Sequence, residues 1–279
     1  MTLSDIQFIF NRAFSKSFHM KKLLLVFVAL ALCGVLVVFF RGLAVNAGHW
    51  LILSLSFLPI FLCSGFLLST GILLIRIYHD EIKNKPIKYG DIFAKSWEVI
   101  LGSSYFSVPI ILVYLLIWML LGIFFLLRDI PSFGQFFAVI LAFAPFLINL
   151  SSLLLCLLNF ALLFFVAPVI ALKGFNKIQI SKSLVSRLEN DPFSNLFFVL
   201  ISVLPLFLVV LILSIAAFLT GTICYACEQP IYTVLQWFVI MIPFTALLSP
   251  AIVFFFNFAA EAHVLMQKEL KQSELKKIK

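Results

Sequence analysis

Charge is scarce in this sequence: 11% of its 279 residues are Asp, Glu, Lys or Arg, against 63% hydrophobic. Soluble domains carry near a quarter charged residues, and a water-facing fold of this size has no means of hiding so much apolar surface. A soluble globular class is therefore excluded. No glycine-rich phosphate loop and no His-Glu-x-x-His metal helix is present, so nucleotide and zinc-peptidase chemistry have no carrier. No cofactor and no metal are expected. The net charge of +8 lies in segments beside apolar runs, where a membrane surface explains it without nucleic acid. Ionisable groups are also missing from the middle of the apolar runs, the place where an ion-driven carrier usually keeps one. Arg41, Arg76, Arg128, Glu261 and His263 fall at run ends and read as interfacial anchors.

What is present is a series of runs without a charged residue: 23–40, 42–75, 99–127, 130–172, 192–227 and 229–260. A spanning helix needs roughly 20 apolar residues. Lipid offers no hydrogen bonds, so the backbone must pair internally, and helices do this within one segment. A β-barrel needs short alternating segments instead, which these continuous runs are not. The chain reads as an all-α integral membrane protein with six transmembrane helices and one membrane domain over 1–279.

Orientation follows from the cations. With six spans and the start inside, eighteen of the 20 Lys and Arg fall on the cytoplasmic side, and only Arg41 and Arg128 fall outside. Cytoplasmic loops carry this excess in membrane proteins. Splitting the long run 130–172 into two spans inverts the last third and loses the bias. A cleaved signal peptide is the rival reading of run 23–40. Its 18 apolar residues and the following Arg41 argue against cleavage.

Three short segments suggest an internal repeat. They are Phe14-Ser15-Lys16-Ser17-Phe18, Phe93-Ala94-Lys95-Ser96-Trp97 and Ile180-Ser181-Lys182-Ser183-Leu184, each before an odd-numbered span. Apolar residues recur around them at helical spacing, with Ile92, Phe93, Trp97, Ile100 and Leu101 on one face. Such a pattern predicts amphipathic helices lying in the membrane interface, with Lys16, Lys95, Trp97 and Lys182 as interfacial residues. Asp91 and Ser181 suit their starts. Each even-numbered span holds a proline: Pro59, Pro145 and Pro243. Proline removes a donor and clashes one turn back, so these spans are expected to kink. The approximate units are 1–78, 79–173 and 174–265, followed by a basic cytoplasmic tail, 266–279.

Neutral polar residues inside the runs include Asn149, Asn159 and Asn257, which read first as hydrogen-bonding glue between helices. Asn149 and Asn159 stand about 80° apart around a helix and about 15 Å along it, so they do not make one site. Cys224-Tyr225-Ala226-Cys227 has redox spacing and falls in an outer loop, where a disulfide is permitted. Cys33, Cys63 and Cys156 lie within runs and supply no evident second pair. The end Lys276-Lys277-Ile278-Lys279 is a basic tail drawn to anionic headgroups; in a eukaryote it resembles an endoplasmic-reticulum retrieval signal.

Two stretches resemble a known family. Phe93-Ala94-Lys95-Ser96-Trp97-Glu98, and Phe165-Val166-Ala167-Pro168-Val169-Ile170-Ala171-Leu172 leading to Ser181-Lys182-Ser183-Leu184, are similar to a bacterial six-span inner-membrane superfamily. It includes YciC-like proteins and the membrane domain of glycerophosphoryl diester phosphodiesterases. Leu184 stands where the family usually has Trp. No phosphodiesterase domain accompanies the resemblance, so it implies fold and an inner-membrane location, not catalysis. Three classes of function follow. The first is a non-enzymatic, membrane-organising or partner-binding protein, touching lipid and a membrane-protein partner or a second copy; it expects tight packing. The second is a carrier of a lipid or small neutral solute, with a cavity near Pro59, Pro145 and Pro243. The third is a thiol oxidoreductase using Cys224 and Cys227.

Overall fold

The computed structural model describes residues 3–44, 49–85, 89–105, 107–128, 130, 134, 139, 142–174, 185, 192–220 and 230–278. Among these residues there is no strand. The helices are α1 (Leu3–Ser15), α2 (Met20–Ala44), α3 (His49–Ile82), α4 (Tyr89–Ser104), α5 (Ser107–Arg128), α6 (Ala144–Lys173), α7 (Pro192–Leu219) and α8 (Pro230–Ile278). Six of them, α2, α3, α5, α6, α7 and α8, are long and apolar enough to cross a bilayer. They are spans one to six in chain order. The chain is an all-α, multi-pass membrane protein, and run 130–172 holds one spanning helix, α6.

The spans divide into two kinds by position. In each of spans one, three and five only 17% of the apolar stretch is buried, against 67%, 56% and 39% in spans two, four and six. The even-numbered helices α3, α6 and α8 touch one another and form the centre. α2 lies between α8 and α3, α5 lies between α3 and α6, and α7 lies against α8. The outer helices are apolar all round because their outward faces meet lipid and not water. The two short helices dock on inner spans, α1 on α8 and α4 on α3.

Packing is densest in one half of the bundle, the half bearing Lys22, Glu81 and Glu261, which we call the charged end. There, Ile72, Leu74, Ile75, Val166, Ala167, Val169, Ile170 and Val253 are fully enclosed. Phenylalanine rings interlock: Phe254 stacks on Phe258 one turn along α8 at 5.6 Å, and across helices Phe164 meets Phe255 edge-on at 5.8 Å and Phe198 lies 6.0 Å from Phe258. Gly71 lets α8 come close, since a Cβ there would stand 2.2 Å from the Phe256 ring. α6 ends at Gly174, whose φ of 82° suits glycine and whose N–H closes on the Ile170 carbonyl at 3.0 Å.

Two expectations change. Pro145 sits in the first turn of α6, where its missing N–H has no partner to lose, so it does not kink that span; Pro168 lies inside the helix instead. Interior prolines are not confined to one per even-numbered span: span five carries Pro205 inside α7, and span six carries Pro250 as well as Pro243. In α4 the Trp97 and Leu101 stripe faces away from the protein, 52% and 49% exposed, while Ser96 is buried. At a membrane interface the outward face is the apolar one, so periodicity alone does not say which face packs. The tail is helical as well: α8 runs without a break to Ile278, 49 residues, or about 74 Å at 1.5 Å per residue. That is more than twice the hydrocarbon thickness of roughly 30 Å.

Candidate functional site

Away from the charged end the inner helices part. A cavity of about 380 Å³ lies there among α2, α3, α6, α7 and α8. That is within the usual range of ligand pockets, roughly 300–1,000 Å³. Its wall is almost wholly apolar, with Leu30, Val38, Leu67, Phe160, Leu163, Met241, Phe244 and Leu248 contributing. From Leu30 to Arg41 along α2 it runs about 16 Å. Gly34 makes room for Met241: a Cβ at Gly34 would stand 2.1 Å from the Met241 sulfur. Arg41 lies at the far end of α2, its guanidinium carbon 4.4 Å from the centre of the Trp237 ring, a cation–π contact that keeps a positive charge beside the cavity.

Few polar atoms reach this wall. Ser64 and Thr245 line it, their hydroxyls donating to the Phe61 carbonyl at 2.6 Å and the Ile242 carbonyl at 2.9 Å. Asn159 lines it too and is 3% exposed, and its side-chain oxygen has no hydrogen-bond partner among the described residues. Cys33 and Cys63 share the same wall. The Cys63 thiol donates to the Cys33 carbonyl at 3.7 Å, and the two thiols lie against each other. Thirty residues apart on neighbouring helices, they carry no spacing that would pair them in the sequence.

The charged end holds a second constellation, buried where snorkelling anchors were expected. Glu261 is 4% exposed and His263 1%, so neither reaches out to solvent. Tyr78 donates to Glu261 at 2.6 Å, and Arg12 of α1 donates to the same carboxylate. Burial opposes the Arg12 charge, but its hydrogen bond and attraction to Glu261 more than offset this and raise its pKa above the ordinary value. Lys22, 1% exposed, points inward from the first turn of α2, donates to Glu81 and lies 5.2 Å from the Tyr78 ring centre. Lys16 adds an ion pair to Glu81 at 3.3 Å. Buried ionisable groups in a membrane protein usually mark function; here every carboxylate of the cluster is neutralised, and the cluster ties α1, α2, α3 and α8 together.

The remaining sequence candidates are dispersed. Asn149 borders a gap of about 10 Å³ with Trp118 and Ser152, too small for more than about one water, and so stays apart from Asn159. Asn257 is fully buried and donates to Ser17 at 3.4 Å. Pro59 and Pro243 adjoin cavity residues Ile60 and Phe244, whereas Pro145 lies away from the cavity. Lys95 belongs to α4, but its side chain, like Lys182, Cys224 and Cys227, lies outside the described residues. Compared with family models, curated proteins and solved structures, the chain shows no match.

Proposed function

We propose that this chain is a non-enzymatic membrane protein that takes the apolar part of a membrane-dissolved amphiphile into the cavity between its spans. The observation that carries this reading is the cavity itself: about 380 Å³ lined by aliphatic and aromatic side chains. A purely organising role expects tightly packed spans throughout, and that is met only at the charged end. An apolar space of this size favours a chain-shaped, uncharged ligand part. The test is quenching of Trp237 fluorescence in nanodiscs by brominated acyl chains, with the other tryptophans replaced by Phe. The wild type should be quenched strongly, and Gly34→Leu or Val38→Phe, which fill the space, much less. Equal quenching in all three proteins overturns the reading.

The setting is proposed on the same footing: a bacterial inner membrane with both termini cytoplasmic, the lysine-ended tail leaving an endoplasmic-reticulum membrane as the eukaryotic alternative. Eighteen of 20 cations on one side support that orientation. Reporter fusions at both termini test it, and a periplasmic or luminal signal from either refutes it. The likeness to the YciC-like superfamily is carried forward as a proposal about location and fold.

We also propose that the three units are repeats. Ser17 and Ser96 each follow the lysine of their motif, are each buried, and each accept a hydrogen bond from the inner span their helix docks on. The donors are Asn257 at 3.4 Å and Arg76 at 2.6 Å. Outer spans one and three likewise each sit between two inner spans.

A further inference from the structure

We propose that the ligand of the cavity is a neutral amphiphile with a hydroxyl group, an alcohol-bearing apolar chain whose O–H donates to Asn159. This rests on the cavity reading above and names the ligand class. The oxygen atoms of the inner wall are of one kind. Ser64 and Thr245 have already given their protons to the Phe61 and Ile242 carbonyls, which leaves their oxygens as acceptors only. The Asn159 oxygen is an acceptor with no partner among the described residues, on a residue 3% exposed. Strong donors, Arg41 and the Trp237 indole, stand at the end of the cavity formed by the last turn of α2. A buried acceptor left unpaired is unfavourable, and a ligand that supplies the donor removes that cost.

The alternatives fail at this wall for stated reasons. An ester, ether or ketone brings one more acceptor and leaves Asn159 unpaired. A carboxylate brings a charge with no cation at that depth. An ammonium group donates, but it leaves a buried charge with no carboxylate among the residues lining the cavity. A hydroxyl donates and stays neutral.

The experiment uses the full chain in nanodiscs, with a brominated chain quenching Trp237 and two competitors of equal length, 1-dodecanol and methyl undecyl ether, compared per mole of lipid. Dodecanol should displace the quencher at about tenfold lower mole fraction, the equivalent of one hydrogen bond worth ~1.4 kcal/mol. Asn159→Leu should make the two competitors equal, while Asn159→Gln, which keeps the acceptor, should retain the preference and serves as the folding control. Equal displacement by both competitors in the wild type, or an undiminished preference in Asn159→Leu, overturns the hydroxyl assignment and leaves the cavity reading intact. Failure of both competitors to displace the quencher overturns both readings.

Discussion

Lys22 and Glu81 are buried unequally, and that inequality makes a sharp prediction. The Lys22 side chain is 1% exposed and that of Glu81 12%, whereas Lys16, the second cation on Glu81, is 47% exposed. In Glu81→Gln the Lys22 ammonium keeps only neutral partners: the amide oxygen at position 81, the Lys16 carbonyl at 3.3 Å and the Tyr78 ring. Lys16 swings into water at little cost, but Lys22 has no such route. Breaking a buried pair from one side costs roughly 3–5 kcal/mol, so Glu81→Gln should lose about 3 kcal/mol, more than a hundredfold in the folding equilibrium. Lys22→Met is different. It leaves Glu81 with Lys16, fills the site with a side chain of similar length, and should cost about 1 kcal/mol, since an exposed pair can still form. The double variant removes both buried charges and should lie near Lys22→Met and well above Glu81→Gln. Titration with sodium dodecyl sulfate in mixed micelles, followed by far-ultraviolet circular dichroism, reads all three proteins. If Glu81→Gln and Lys22→Met cost the same, or if the double variant is the least stable, the inward lysine is not the stranded charge and the reasoning fails.

Two further outcomes use the same titration. Gly71→Leu should destabilise by about 1–3 kcal/mol, because its Cβ already stands 2.2 Å from the enclosed Phe256 ring, while Gly90→Ala, with nothing within 4 Å, should be neutral or slightly stabilising; equal losses at both sites would refute the close α3–α8 approach. Asn257→Leu should change stability by no more than about 1 kcal/mol, because it trades one long hydrogen bond for the removal of a buried oxygen that has no partner; a loss above about 3 kcal/mol would mean that the amide carries more of the α1–α8 contact than this one bond.

The spans were legible in the sequence because their cause is one-dimensional. A helix crosses lipid when enough consecutive residues are apolar, and counting finds them. Facing is two-dimensional and was not legible. Lys22 follows Lys21 in the same basic start of α2, yet only Lys22 turns inward, because Glu81 and Tyr78 of α3 wait on that side. Glu261 and His263 stand at the end of an apolar run and looked like anchors; α1 covers Glu261 and turns a run end into an interior. Pro145 was misjudged as a kink because α6 begins at Ala144, a start that no charge or cap announces. Of the cavity, the sequence yielded Asn159 as a polar residue in a span and two of the neighbouring prolines. It did not yield the Cys33–Cys63 contact, Gly34 or Met241, which meet only because α2 lies between α3 and α8.

The two halves of the bundle explain each other. At the charged end, α1 closes over α8 and the ion pairs of Glu81 and Glu261 bind four helices, so that half has its apolar core closed and its carboxylates paired. Among the described residues, no comparable set of ion pairs ties the other half. There the inner helices α3 and α8 carry Pro59 and Pro243 inside the helix, each removing a backbone hydrogen bond, and Gly34 trades a side chain for space. Under the proposed function, a ligand enters a bundle that is clamped at the end away from its cavity. Charge removal at Glu81 should then loosen the cavity as well as the fold.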